Sequence, residues 1–196
     1  EWIEIQIQPE EQSQQFEPEN IPLDIIFEDD HILVINKPSG LVVHPAAGNW
    51  SGTLLNGLLH YLPFSKGLPR AGIVHRLDKN TTGLMVIAKD EVSQNHLVRQ
   101  LQSKKVKREY RAIVWGQVWK NKSISQPIGR HPRVRVKMAV NKINGKDSIT
   151  HYEVLERFGM NSYLRCNLET GRTHQIRVHM QFNESPIVGD PVYGLK

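Results

Sequence analysis

The stretch His75-Arg76-Leu77-Asp78-Lys79-Asn80-Thr81-Thr82-Gly83-Leu84-Met85-Val86-Ile87-Ala88-Lys89 carries the most information in this chain. A short apolar run, Gly72-Ile73-Val74, leads into it, and a second, Leu84–Ala88, leaves it. Between the two stand His, Arg and Asp within four residues, followed by two threonines and a glycine. That pattern reads as strand, loop, strand, with polar chemistry held at the strand ends on a rigid frame. Asp78 itself has two readings. Asp commonly bonds its own backbone in a turn, and it can equally act as a nucleophile or an acid–base group. Arg76 nearby would favour its ionised form. Spacing alone does not choose between them.

Working outward, residues 1–8 alternate apolar and polar and predict a strand, and the Pro-, Glu-, Gln- and Ser-rich residues 9–22 predict a linker. Two short strands are expected at Leu23–Phe27 and His31–Asn36, joined through Asp29-Asp30, with Lys37-Pro38-Ser39-Gly40 ending the second. Leucines at helical spacing over residues 53–62 lie behind Ser51 and Thr53 as capping candidates. Strands at 72–76 and 83–88 flank the Asp78 loop, and Asp90 caps a helix running to about Ser103. Further strands are predicted at 106–115, 133–140, 148–155 and 162–169. The first of these places Tyr110 on the same face as Val106, Ala112 and Val114. Thr173 is the expected cap of a last helix from His174 to Phe182. Strands outnumber helices and are mostly joined by short turns. The fold class expected is therefore α+β, with a mixed, largely antiparallel sheet core flanked by helices.

The chain has 196 residues, 39% of them hydrophobic, enough for one domain with a real core. No apolar run is long enough to span a bilayer, and the N-terminus does not read as a signal peptide. The single cysteine, Cys166, rules out an internal disulfide or a multi-cysteine zinc site. It shares a strand face with Leu164 and Leu168, as a buried thiol would, and suits a reducing cytoplasm. The formal charge of +5 conceals an asymmetry. Residues 1–30 hold ten acids and no Lys or Arg, so ten acids face all 25 bases from residue 31 onward, a net +15. A basic body of this kind favours a polyanionic partner, most commonly nucleic acid. The bases cluster: Arg99, Lys104, Lys105, Lys107, Arg108 and Arg111 form one group, and Arg130, Arg133, Arg135, Lys137, Lys142 and Lys146 another. Both groups are candidates for tracking a phosphate backbone.

The motif His75-Arg76-Leu77-Asp78-x-x-Thr81-Thr82-Gly83 resembles the signature of the RluA-type family of pseudouridine synthases. Three further stretches resemble family motifs in the expected order: Asn36-Lys37-Pro38-Ser39-Gly40-Leu41, Lys107-Arg108-Glu109-Tyr110-Arg111-Ala112, and Leu168 to His179 (Leu-Glu-Thr-Gly-Arg-Thr-His-Gln-Ile-Arg-Val-His). The resemblance runs from about residue 23 to the end and is nearest the large-subunit ribosomal RNA (RluD-like) branch. Asn80 stands where relatives often have an acid, and Thr82 where many have Ser.

The resemblance implies a pseudouridine synthase fold and isomerisation of uridine in structured RNA, with 23S ribosomal RNA or an assembling subunit as partner. The implied reaction gains and loses no atoms and needs no cofactor. Asp78 would be the catalytic carboxylate, acting on the base or on the ribose. Arg177 would be the guanidinium that keeps it ionised, and Tyr110 would stack on the uracil and could take the C5 proton. Arg76 would fill the space of the extruded base, since extrusion costs a few kcal/mol. His75, Arg172, His174, Lys107, Arg108, Arg130 and Arg133 complete the implied substrate-binding set. The resemblance further implies that residues 1–22 end an S4-like region with its linker. Residues 23–196 would then be the catalytic domain without its C-terminal end. A monomer is expected. His174 and His179 are five apart with no ligand set around them, so no metal is expected. The rival readings are a non-catalytic RNA-binding or ribosome-assembly module on the same fold, a synthase directed at tRNA, and a hydrolase. No Gly-x-Ser-x-Gly elbow supports the last.

Overall fold

The computed structural model describes residues 16–46, 48–134 and 137–195. The strand predicted at 1–8, the first half of the linker and Arg135 lie outside the described residues. The chain forms two compact units that divide between Ser103 and Lys104.

The first unit is built on an antiparallel sheet of β1 (Ile25–Glu28), β2 (Ile32–Lys37) and β3 (Gly83–Ala88), in the order β1-β2-β3. The period of two along β2 turns Leu33 and Ile35 inward, and they are 0% and 1% exposed. The same period carries Lys37 to the buried face, where it is also fully shielded. Helix α1 (Leu54–Tyr61) buries Leu54, Leu55, Leu58 and Leu59. Its N-cap is Thr53, whose side chain accepts from the Asn56 amide while the Asn56 side chain accepts from Thr53 N–H. This reciprocal pairing satisfies amides that the helix itself leaves open. Two 3₁₀ turns follow, Pro63–Gly67 and Pro69–Gly72. Helix α2 (Glu91–Gln102) is capped by Asp90, which accepts from the Ser93 amide at 2.8 Å.

The predicted strand at 72–76 does not form. Only Ile73 makes an isolated bridge, to Ile87, and residues 74–78 are irregular. The reason is local. Arg70, Ala71 and Gly72 all have positive φ (56°, 51° and 80°), so the chain enters from a left-handed turn. A Cβ on Gly72 would collide with the Ala88 carbonyl oxygen. Only glycine lets the backbones approach this closely.

In the second unit a four-stranded antiparallel sheet has the order β4-β9-β8-β5. Its strands are β4 (Arg108–Trp115), β5 (Lys122–Ser125), β8 (Ile149–Phe158) and β9 (Asn161–Leu168). Alternation turns Ala112, Val114, Leu164 and Cys166 to one side, where they pack with Ile124, Tyr152 and Met180. Burial pushes the Cys166 thiol up to about 12, making it an inert core group. A second hairpin pairs β6 (Ile128–Arg130) with β7 (Met138–Val140). Of the strand expected at 133–140, the described residues form only its last three, Met138–Val140, as strand. Helix α3 (Gln175–Phe182) closes the unit. Thr173 does not cap it. The N-cap is His174, in the left-handed region at φ 58°, and no side chain caps the helix.

Candidate active site

In the first unit the chain around Asp78 is pinned from two sides. The Lys37 ammonium donates to the carbonyls of Pro38 (2.8 Å), Leu41 (2.9 Å) and Lys79 (3.0 Å). Lys79 O also accepts from Gly40 N at 2.9 Å, and the Ser39 hydroxyl reaches Asn80 O at 3.5 Å. The Lys-Pro-Ser-Gly turn is therefore stitched to the residues just after Asp78. Gly40, at φ 87°, supplies the left-handed turn this requires. Burial lowers the Lys37 pKa, and the negative charge of Asp78 opposes that shift. Before Asp78, the His75 ring accepts the Val86 amide of β3 at Nε2, 3.1 Å away. That bond places the proton of a neutral His75 on Nδ1. It also takes up a β3 amide that a neighbouring strand would otherwise pair. Asp78 is half-buried and its carbonyl accepts from Thr81 N at 3.0 Å, closing a turn. Arg76 is exposed. His44 is held down to about 4 by burial first and then by the cations Arg70 and Arg76. Its imidazole is therefore neutral at pH 7.

In the second unit the motif residues 168–179 form a turn organised by one side chain. Gln175 Oε1 accepts from Thr170 Oγ1 (2.8 Å) and from Arg172 N (2.9 Å). Its Nε2 donates to Ile149 O (2.9 Å) and Thr150 Oγ1 (3.0 Å). His179 lies behind this network, fully buried, with Nδ1 2.9 Å from Thr150 Oγ1 and Nε2 3.0 Å from Gln126 O. It is a satisfied core histidine. Arg177 is gripped by Asp190 through Nε (2.7 Å) and Nη2 (3.0 Å), a two-point geometry suited to a guanidinium. Burial of Asp190 acts to raise its pKa. The Arg177 bond and the Tyr193 and Val192 amides outweigh that and bring it to about 2.

The other candidate residues separate by burial. Tyr110 is half-buried, opposite Cys166 on β9, and packs against the unit's core. Arg172 is exposed and its Nε donates to Asp147 O at 3.1 Å. Arg108 donates to Glu169 O at 3.2 Å and lies over Gly171, where a Cβ would collide with its Nη1. It is a brace for the motif turn. Lys107, Arg130 and Arg133 are exposed. The pairing of Arg177 with Asp190 and Tyr193 was not visible in the sequence. The only signal was the run Gly189-Asp190-Pro191-Val192-Tyr193-Gly194, which names no partner. Among the described residues no group of three or more His, Cys, Asp or Glu could hold a metal, and no helix is long and apolar enough to cross a membrane.

The family described as RNA pseudouridylate synthase matches residues 31–182, and the chain belongs to it. The chain is 58% identical over 194 residues to the ribosomal large subunit pseudouridine synthase D of Neisseria meningitidis serogroup A. That match covers 99% of this chain and 52% of the relative. It is 55% identical to the synthase of the same name from Escherichia coli K12, over 94% of this chain and 56% of the relative. The chain therefore spans about half the length of the curated relatives it matches. Among solved structures, human RNA pseudouridylate synthase domain containing 1 superposes with a TM-score of 0.73 at 28% identity. The superposition covers 89% of this chain and 70% of that one. Human RNA pseudouridylate synthase domain containing 4 gives 0.66 at 28% identity, over 86% and 68%.

Proposed function

We propose that this protein converts uridine to pseudouridine in structured RNA, with 23S ribosomal RNA of the large subunit as its substrate. The observation that carries the reading is Asp78. It stands on a turn tied down by Lys37 and His75, in a chain more than half identical to relatives named for this activity. The reaction breaks the N1–C1′ bond, turns the uracil and rejoins it through C5. A fixed carboxylate suits it as a nucleophile that splits one hard step into two easier ones. Arg177 is the proposed guanidinium partner of that carboxylate. Asp190 takes its Nε and Nη2 edge and fixes the plane of the guanidinium. Tyr110 is the proposed stacking partner of the uracil and acceptor of the C5 proton. Arg76 is the proposed occupant of the space left by the extruded base, and the exposed cations Lys107, Arg130, Arg133 and Arg172 the proposed phosphate contacts.

The catalytic domain is proposed to begin near residue 23; the family match itself covers residues 31–182. A cytoplasmic monomer needing no cofactor remains the expected state. Release of tritium from RNA labelled at uridine C5 tests the reading. Wild type should release tritium, and Asp78→Asn should release none while binding RNA within about twofold of wild type. Turnover by Asp78→Asn near the wild-type rate would overturn the assignment.

A further inference from the structure

The run Asp190–Gly194 folds into a tight turn, with Gly194 N donating to Asp190 O at 2.9 Å. It delivers Tyr193 into the interior of the second unit, 1% exposed. A buried tyrosine needs a partner for its hydroxyl, and this one has two. The hydroxyl accepts from the Met138 amide of β7 at 2.8 Å, and lies 2.8 Å from Nδ1 of His174. Accepting from Met138 lets the hydroxyl donate its own hydrogen to Nδ1 of a neutral His174. The ring is equally occupied. Arg177 Cζ lies 4.9 Å from its centroid, Lys137 Nζ lies 5.9 Å away, and the His174 ring packs edge-on at 5.6 Å. Arg177 is thus held on one edge by Asp190 and on its face by Tyr193.

Three features give this node a purpose beyond filling space. First, the β6–β7 hairpin and the turn after it are strongly cationic. Residues 127–146 contain no Asp or Glu, and Arg130, Arg133, Lys142 and Lys146 are exposed. Second, the hairpin, α3 and the 190–193 turn share one apolar cluster of Ile128, Val178 and Tyr193, with Met138, Val140 and Val192 against it. A displacement of the hairpin is felt at Tyr193, because packed interiors transmit strain. Third, His174 sits in a left-handed conformation that is strained for a non-glycine residue, and its ring is bonded to the Tyr193 hydroxyl. Such strain persists only where the surroundings hold it.

We propose that Tyr193 is a positioning residue that couples RNA-phosphate contact on the β6–β7 hairpin to the orientation of Arg177 and His174. The proposal rests on the RNA isomerase reading above. When a phosphodiester backbone engages the hairpin cations, the Met138 amide is fixed and the Tyr193 hydroxyl with it. The ring then holds the guanidinium of Arg177 in its working orientation. A tyrosine that only filled the core would affect stability and leave turnover of the folded enzyme unchanged.

Tyr193→Phe keeps the ring and its volume and removes only the hydroxyl. Its kcat should fall about tenfold with RNA affinity within about twofold of wild type. Lys142→Ala, in the exposed turn that follows the hairpin, should lower kcat about threefold as well as weaken binding in the wild-type background. In the Tyr193→Phe background it should weaken binding and leave kcat unchanged. A wild-type kcat for Tyr193→Phe, or two kcat effects that simply multiply, would overturn the coupling. Should Tyr193→Phe not fold, hydrogen exchange of the Met138 amide in Asp78→Asn decides instead. RNA should slow that exchange at least severalfold, and an unchanged rate would overturn the proposal. A wild-type protein that binds RNA but never turns over would refute the isomerase reading instead. The exchange measurement would still decide the coupling, because it requires binding alone.

Discussion

Replacing Lys37 by methionine removes the charge from the centre of the stitched turn while nearly keeping the side chain's length. Three N–H···O bonds at 2.8, 2.9 and 3.0 Å are lost. Hydrogen bonds to charged groups contribute about 1.5–3 kcal/mol each, a gross loss of about 5–9 kcal/mol. Two effects offset it. The fully buried ammonium costs several kcal/mol to desolvate, and Lys79 O keeps its bond from Gly40 N. The net loss should be about 2–4 kcal/mol. Urea denaturation at pH 7 should show a lower midpoint with an unchanged slope. Catalysis should suffer separately. Once its following residues are untied, Asp78 can drift by about 1 Å, a misplacement that can cost about 100-fold. Tritium release, measured where both proteins are folded, should therefore fall about 10- to 100-fold with little change in RNA affinity. A Lys37→Met protein as stable and as fast as wild type would refute the idea that this lysine holds the catalytic turn.

Other outcomes follow from the same geometry. Gly171→Ala places a methyl against Arg108 Nη1, so the brace to Glu169 O must shift. Because the guanidinium ends a flexible side chain, we expect the loss to be that of one hydrogen bond, about 0.5–1.5 kcal/mol in a denaturant titration, and Arg108→Ala in the same chain to add little further. His44 titrates near 4 when folded against about 6.5 when unfolded. Between those values the unfolded chain binds the extra proton, so stability falls as pH drops from about 6.5 to about 4. At this half-buried ring we expect about 1–2 kcal/mol after solvent screening, and His44→Gln should flatten the dependence in denaturation series at pH 7 and pH 5. Lys142→Ala should reduce the slope of log affinity against log salt by about 0.7–0.9 for any RNA sequence.

Much of the frame was legible because period and caps are local. Leu33, Ile35 and the leucines of α1 declare their faces, and Asp90 caps α2 where its side chain meets the Ser93 amide. Strand β5 escaped notice because Lys-Ser-Ile-Ser offers one buried residue, Ile124. Strand β6 is three residues long and exists through its pairing with β7. The run at 72–74 looked like a strand, yet Gly72 and its two left-handed predecessors turn the chain aside. The site divides the same way. Asp78 and its neighbours stand out by composition. The carbonyls that accept from Lys37 and the Val86 amide that donates to His75 belong to long-range packing, and no spacing rule announces them. Likewise Asp190 and Tyr193 lie 13 and 16 positions beyond Arg177, and only the folded turn brings them to its guanidinium.

The isomerase chemistry at Asp78 is best tested by incubating wild type and Asp78→Asn with unmodified large-subunit ribosomal RNA and mapping pseudouridine at nucleotide resolution. Wild type should give discrete new pseudouridines and Asp78→Asn none, although both bind the RNA. Modification by both proteins would contradict the role of Asp78. Tight binding by wild type without any modified uridine, on free RNA or on assembling subunits, would contradict the isomerase reading and favour a binding module on the same fold.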